Sequence, residues 1–467
     1  MLKLLKIASV LAASALLGAS AYADSNYRDD SANNMLLDTL VQKGYLTHEE
    51  AAGIGETVTP FKANGGHTSK ITVNGLLHFG HDLVTADKSG GTVYETADTN
   101  AYRLSSARLG VRAVLTPRWS SFVQLDFADT EANSGASAPK QSSVSDTLDE
   151  AWIRWVAVEE ELVFDMGYIR TSFGFEYNKS IADLKTIHYS PASFYFREVL
   201  MTGNYGNKRS RFVGMMAHGT LMNDFYYNLA VTRPQANQVN VFNSAENNTA
   251  AIWGGFGWNT AWQEIDINIG INGAFLPEQP AGTTGCAPCD DTLSLPSGER
   301  GKKFYFWGAH MDLNYREFSL FAEVMGAILS DQKGLKGSAV SKNRDANPIG
   351  LTIMPTYRYN EEYEFVFAYS YVDADSGFAF DPARMIPGMN SGSSLASTNH
   401  YNKMNSVYLG TNWYILANDV KLSFGYQFSK VESPTAETNY SVETPATGTH
   451  GSHENVHALR SRLQLVF

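Results

Sequence analysis

Apolar and polar residues alternate with a period of two along most of the chain, and the last segment shows this most clearly. Between His457 and Phe467 one face carries leucines and the terminal phenylalanine, whereas the other carries Arg460, Arg462 and Gln464. A strand of this kind fits a wall that has lipid on one side and a water-filled lumen on the other. The pattern therefore predicts a strand of a transmembrane β-barrel.

About sixteen segments share this alternation, and it is their sum that is typical of a membrane barrel. The segments are 69–85, 102–116, 118–129, 148–157, 161–171, 210–222, 223–233, 249–262, 264–276, 302–315, 316–329, 349–359, 362–372, 403–414, 418–431 and 455–467. Short connections such as 116–118 and 360–362 alternate with long polar ones such as 130–147. Short periplasmic turns and long extracellular loops produce this order. The sequence predicts an all-β, antiparallel transmembrane barrel of about sixteen strands with an aqueous lumen.

The N-terminus has the organisation of a secretory signal over residues 1–23. Lys3 and Lys6 precede a short apolar stretch, and the small-x-small sequence at 21–23 suits a cleavage site. Cleavage would remove two lysines and no acids, which would take the formal net charge from −12 to −14. We therefore expect an exported chain in a Gram-negative outer membrane.

Residues 24–67 differ in pattern from the predicted barrel at 68–467. Leu36, Leu37, Leu40 and Val41 have helical spacing, and residues 47–50 form a Thr-x-x-Glu capping box. We predict a short helical segment followed by a linker. It is either a periplasmic tether or an oligomerisation segment.

The two cysteines, Cys286 and Cys289, form a C-x-x-C in a Gly/Pro-rich stretch. No βαβ pattern surrounds them, so a small loop disulfide is favoured over metal or redox chemistry. We expect no metal, no cofactor and no nucleic-acid partner. The sequence also lacks a Gly-x-Ser-x-Gly elbow, which argues against an outer-membrane hydrolase and for a chain that is not an enzyme. An adhesive role for the loops stays open.

The longest predicted loop, at about 171–209, has a basic excess in an acidic chain. Its cations, with the flanking arginines, are Arg170, Lys179, Lys185, Arg197, Lys208, Arg209 and Arg211. The loop is also rich in Phe and Tyr, which would pack against a barrel wall. We predict that it folds into the lumen and that its cations select anions. The alternative is an ordinary surface loop.

Five further arginines have the strand parity of the lumen face: Arg108, Arg112, Arg154, Arg460 and Arg462. They extend the predicted anion preference along the pore wall. Acids with lumen parity, among them Asp126, Asp266, Glu323 and Glu364, could instead balance them. The arginines alone do not specify an anion.

Several blocks of sequence carry a family resemblance. They are the Leu-x-x-Lys-Gly-x-Leu-Thr-x-Glu-Glu-Ala type stretch at 40–51, Ala-Arg-Leu-Gly-Val at 107–111, Gly-Tyr-Ile-Arg-Thr-Ser-Phe-Gly at 167–174, Arg-Phe-Val-Gly at 211–214 and Leu-Gly-Thr-Asn-Trp-Tyr at 409–414. Together they resemble the phosphate-selective porin O and P family of Gram-negative outer membranes. Arg170 occupies the family's basic position before the constriction loop, and Ser172 stands where the family usually has Pro.

This resemblance implies a homotrimeric, sixteen-stranded porin whose arginines and lysines line each pore for phosphate or other small anions. Phe467 is similar to the C-terminal aromatic that the barrel-assembly machinery recognises. Lipid and lipopolysaccharide would surround the barrel. Because the predicted mature chain is acidic and its outer loops include acidic stretches such as 95–98, a general porin for small hydrophilic solutes is the alternative.

Overall fold

The computed structural model describes residues 61–62, 68–88, 99–128, 148–202, 211–222, 224–233, 250–276, 303–332, 344–375, 380, 385–387, 401–432 and 453–467. The signal segment, nearly all of 24–67, both cysteines, Lys208 and Arg209 lie outside these residues.

The described strands form one closed antiparallel ring of sixteen members, as the alternation predicts. Each long strand pairs with the next, and the last pairs with the first of the ring. In chain order all strands are β1 (Phe61–Lys62), β2 (Thr68–Lys88), β3 (Thr99–Thr116), β4 (Trp119–Asp126), β5 (Leu148–Val158), β6 (Leu162–Arg170), β7 (Arg211–Leu221), β8 (Phe225–Thr232), β9 (Ala251–Trp262), β10 (Ile265–Leu276), β11 (Lys303–Tyr315), β12 (Phe318–Gln332), β13 (Arg344–Ala346), β14 (Ile349–Arg358), β15 (Tyr363–Asp373), β16 (Lys403–Asn418), β17 (Val420–Glu432) and β18 (His453–Val466).

Two short strands, β1 and β13, are not among the sixteen that the sequence predicts. β1 falls in the predicted linker and forms a hairpin with the start of β2, and β13 adds three residues beside the outer end of β12. The alternation of apolar residues cannot indicate strands of two or three residues. Neither changes the number of strands in the closed barrel, which stays sixteen.

The two faces of the ring differ sharply in exposure. On β18 Leu459 and Leu463 are 56% and 44% exposed, whereas Arg460 and Arg462 between them are 2% and 3% exposed. The same contrast separates outward Val73 from inward Asn74 on β2. The apolar face thus points outward, where lipid would cover it, and the polar face points into the ring.

Short turns join the strands at one end. Met222, Gln263 and Arg316 take positive φ angles of 53°, 57° and 52° in three of these turns. The ring closes at the same end, where the Gly75 N–H donates to the Phe467 carbonyl oxygen at 2.6 Å and the Phe467 N–H donates back at 3.0 Å. The Phe467 ring lies directly over Gly75, in the space that a side chain there would need.

The described helices are short and lie between β6 and β7: α1 (Phe175–Asn178), α2 (Pro191–Phe194) and a π-helical turn (Tyr195–Thr202). Gly174 at φ 81° allows the chain to turn into α1. Ser190 caps α2 by accepting from the Ser193 N–H, and Pro191 suits its first turn. In the part of the chain that is described, no helix has the length and apolarity to cross a membrane.

Candidate functional site inside the barrel

The long connection after β6 lies inside the ring. We call its described part, residues 171–202, the inner loop. Near its start the Gly174 N–H donates to Asn272 of β10 at 3.3 Å, and the Phe175 N–H donates to Glu323 of β12 at 2.5 Å. These acceptors belong to inward-facing side chains of strands far from β6. The loop therefore runs along the inner wall.

Two lysines of the inner loop pair with carboxylates of the wall. Lys179 lies 2.6 Å from Asp312 of β11, and Lys185 lies 2.6 Å from Glu364 of β15. Asn412 of β16 donates to the Lys185 carbonyl oxygen at 2.9 Å. Both cations that the sequence singles out here are thus in the lumen, each neutralised by a wall acid.

Two cations of the wall hold the loop by its backbone instead. Lys421 of β17 donates to the carbonyl oxygens of Ala182 (2.7 Å) and Leu184 (3.2 Å). Arg462 of β18 donates to that of Ile187 at 2.5 Å. Lys421 is absent from the sequence-based set of candidates, although its parity, opposite Leu422, marks it as lumen-facing.

A pair of buried carboxyl groups fastens the loop to β12. Glu323 accepts from the N–H groups of Phe175 and Glu176, the latter at 3.2 Å. Glu176 in turn accepts from the Ser190 hydroxyl at 2.5 Å, and Thr352 of β14 donates to that hydroxyl at 2.8 Å. Burial raises the pKa of Glu176. We call Glu176, Ser190 and Glu323 the carboxyl clasp.

The loop reaches the opposite side of the ring at His188. Its Nε2 lies 4.0 Å from Asp82 of β2, a carboxylate that also pairs with Arg460 at 3.4 Å and Arg103 at 3.1 Å. Burial lowers the pKa of His188 to about 4, so the His188 imidazole is neutral at pH 7. A cavity of about 30 Å³ separates this part of the loop from β14–β18, with Glu176, Thr352 and Arg460 among its lining residues.

The returning half of the loop packs as an apolar core. Tyr195, Phe196 and Leu200 are fully buried against inward side chains that include Trp253 and Phe306. Arg197 is also fully buried; it donates to the Thr171 hydroxyl at 3.0 Å, and its guanidinium lies 4.9 Å from the Tyr177 ring centre. Burial lowers the pKa of Arg197. Arg197 therefore lies within the loop's packing.

An arginine and carboxylate network joins the five neighbouring strands β3 to β7 where the loop begins. Arg108 pairs with Asp126 at 3.2 Å and with Asp149 at 3.5 Å. Arg211 contacts Asp149 at 3.3 Å and Glu150 at 3.2 Å. Arg170 completes the network, with Glu150 at 2.9 Å. Three of the arginines that the sequence singles out thus share three carboxylates.

Arg154 and Arg112 lie on the same wall, nearer the short turns. Arg154 makes a two-pronged contact with Asp165, at 2.7 and 2.8 Å. No hydrogen bond or ion pair of Arg112 occurs within the described residues, and its Nε is buried without a partner. The roles of these residues in anion selection stay predictions.

The lumen histidines are part of hydrogen-bonded wall clusters. His78 Nε2 lies 2.9 Å from Gln464, and His310 Nε2 lies 2.9 Å from the Tyr226 hydroxyl. The His310 ring also stacks on Phe175, with 3.7 Å between centroids. Across the described ranges, no group of three or more His, Cys, Asp and Glu side chains is placed to hold a metal ion.

Comparison with known proteins gives a fold and no close relative. No family model and no curated protein matches the sequence. The anion-selective porin from Comamonas acidovorans matches in structure with a TM-score of 0.50 at 11% identity, covering 85% of this chain and 100% of that one. This chain has the fold of an outer-membrane porin.

Two further porin-fold structures align over similar lengths. The outer membrane channel DcaP of Acinetobacter baumannii is 13% identical, covers 87% of this chain and 99% of its own, and has a TM-score of 0.47. OprB of Pseudomonas putida is 10% identical, covers 84% and 94%, and has a TM-score of 0.49. Identities this low concern the fold alone, so membership of the phosphate-selective family stays a prediction.

Proposed function

We propose that the protein is an outer-membrane porin through which small anions diffuse passively, with inorganic phosphate as the leading solute. The observation that carries this proposal is the inner loop, which lies across a sixteen-stranded ring and brings basic side chains into its lumen. Barrels of this size enclose an aqueous channel. Charged side chains at a narrow point of such a channel select its ions.

The balance of uncompensated charge favours anions. Arg112 and Arg462 make no ion pair with any residue that the structure describes. Among the loop acids without a cation, burial raises the pKa of Glu176 and of Asp183, which disfavours their negative charge. Guanidinium groups keep their charge even when buried. The surplus near the loop is therefore positive.

The proposed setting is the Gram-negative outer membrane, reached through a cleaved signal at residues 1–23 and barrel assembly directed by Phe467. The exposed apolar outer face suits lipid and lipopolysaccharide. A homotrimer is the proposed assembly. In this setting the lumen provides a route for solutes, with no catalytic step.

A general porin for small hydrophilic solutes is the second candidate, and one observation favours it. Most lumen cations are matched by wall carboxylates, as in Lys179–Asp312, Lys185–Glu364 and Arg154–Asp165. Matched charges leave a weak net field for either sign of ion.

Reversal potentials of the purified protein in a planar bilayer separate the two candidates. Under a tenfold KCl gradient we expect a potential of the sign that shows chloride preference, and we expect added phosphate to reduce the chloride current. Boiled protein, which should form no channels, is the control. A cation-preferring potential would remove the anion proposal and leave the general porin.

A further inference from the structure

One stretch of the lumen wall, on the neighbouring strands β8 to β11, is polar but contains no Lys, Arg, Asp or Glu. We call it the platform. Its inward positions hold only Tyr, Asn, His and Gly, and they lie within 226–228, 255–257, 268–272 and 308–310. The wall of β3 to β7 differs, because arginines and carboxylates fill it. A solute in the lumen therefore meets one charged wall and one wall without acids, lysines or arginines.

Glycines allow the aromatic side chains of the platform to lie flat against the wall. A side chain at Gly257 would come within 2.2 Å of the Tyr226 ring. A side chain at Gly270 would come within 2.6 Å of the His310 ring. The Tyr226 hydroxyl reaches across β9 to β10, where it donates to Asn268 at 2.9 Å. Tyr226 thus lies over the glycine of the next strand, and because it stays partly exposed, its other face is open to the lumen.

The inner loop already uses one half of the platform. Phe175 stacks on His310, with 3.7 Å between the ring centroids and 10° between the ring planes. His310 lies beside Tyr226, with its Nε2 2.9 Å from the Tyr226 hydroxyl. No aromatic ring among the described residues stacks on Tyr226 itself. The loop shows that this surface accepts a flat ring, and it leaves the Tyr226 half without one.

Amide groups border the Tyr226 ring on two sides. Asn268 accepts from its hydroxyl, and Asn228 is the next inward residue of β8. The Asn228 amide lies over Gly255, where an added side chain would come within 2.8 Å of Oδ1. Each amide offers both hydrogen-bond donors and acceptors, which is what a solute with several hydroxyl groups needs. An aromatic face with a few such groups around it is the usual composition of a site for a small neutral ligand.

We infer that Tyr226, Asn228 and Asn268 form a binding site for a neutral, ring-shaped solute rich in hydroxyl groups, which is the chemistry of a pyranose sugar. The C–H face of such a ring packs on an aromatic face, while its hydroxyls exchange water for the amides. An inorganic anion has no apolar face to place there, so the platform serves a second class of solute. The inference rests on the proposed passage of solutes through the lumen and is independent of a preference for anions.

Block of the KCl current by maltose in a planar bilayer tests the site. We expect maltose to reduce the current of the unmodified protein more than sorbitol does at the same viscosity, because sorbitol is an open chain without a ring face. Tyr226→Ala removes the aromatic ring, and the half-blocking maltose concentration should rise about fivefold, the size of one aromatic stacking contact. Tyr226→Phe keeps the ring and should change the block less.

Two further variants separate the pose of the ring from general damage. Gly257→Ala leaves Tyr226 in the chain but places a methyl group where its ring lies, so the maltose block should weaken as in Tyr226→Ala. Tyr227→Ala is the matched control. Tyr227 is the adjacent tyrosine on the outer face of β8, where its hydroxyl donates to the Glu161 carbonyl oxygen at 2.8 Å. Its loss should leave the maltose block unchanged.

The outcomes distinguish the sugar site from the function on which it rests. If the unmodified protein conducts ions but maltose reduces the current no more than sorbitol does, the site is wrong and the porin stands. An unchanged block in Tyr226→Ala also refutes the site. If the unmodified protein forms no channels, the proposed function and the site are both overturned. Should Tyr226→Ala fail to assemble, as seen by its migration in unboiled SDS gels, Gly257→Ala decides: an unchanged maltose block refutes the site.

Discussion

Glu323 fixes the start of the inner loop, and its substitution has a calculable effect. Its carboxylate accepts from the Phe175 N–H at 2.5 Å and from the Glu176 N–H at 3.2 Å, and only 1% of the residue is exposed. Glu323→Gln keeps one acceptor oxygen and turns an NH₂ group toward the other N–H. Leaving one buried N–H without its acceptor costs about 2 kcal/mol. Glu323→Ala loses both, about 4 kcal/mol.

These energies convert to populations of the released loop. A change of about 2 kcal/mol raises the released fraction about 30-fold. Hydrogen exchange of peptides from residues 171–190, followed by mass spectrometry, reports this fraction when release is rapid and reversible. We expect about 30-fold faster exchange in Glu323→Gln and a larger effect in Glu323→Ala. The control is Glu264→Gln, whose acid lies in an exposed turn beside Arg316. Exchange within twofold of the unmodified protein in both Glu323 variants would refute the clasp.

Two further predictions concern His188 and the ring seam. The pKa of His188 is lowered to about 4 by burial, against about 6.5 in water, so the released loop binds the proton more readily than the docked loop. Docking is then at full strength above about pH 6.5 and weakens as the pH falls toward 4, by about 2 kcal/mol at pH 5. The same exchange measurement, corrected for intrinsic rates, should show this loss at pH 5 and not in His188→Gln; equal pH dependence in both would contradict it. At the seam, Gly75→Val places a side chain where the Phe467 ring lies and should cost about 1–3 kcal/mol in denaturant unfolding of the refolded barrel. Phe467→Ala should restore tolerance to that valine, and an additive double variant would show that the two residues do not interact.

The strands could be predicted from the sequence because every strand of a membrane barrel follows the same simple rule. Each strand must alternate lipid-facing and lumen-facing side chains, and β18 shows this from Leu459 to Leu465. The positions at which strands end were predicted less accurately. β16 continues to Asn418, beyond the predicted end at 414, because hydrogen bonding to β17 persists after the alternation fades.

The contacts of the inner loop could not be predicted from the sequence in the same way. Its basic composition indicates a lumen location, but the pairing of Lys185 with Glu364 joins residues 179 positions apart. Nothing local in either segment specifies the other. The carboxyl clasp is harder still, since Glu176 and Glu323 carry like charges and a sequence argument would separate them. The alternation along β17, which places Lys421 on the lumen face, would have been enough to add it to the set of candidate lumen cations.

The inner loop joins nearly opposite points of the ring. It contacts Asp312 on β11 and Asp82 on β2, strands that are nine pairings apart in one direction and seven in the other. Between these two contacts it is also bonded to β12, β15, β17 and β18. The loop thus follows about half of the inner circumference and cross-links those strands from within, in addition to the hydrogen bonds between neighbouring strands.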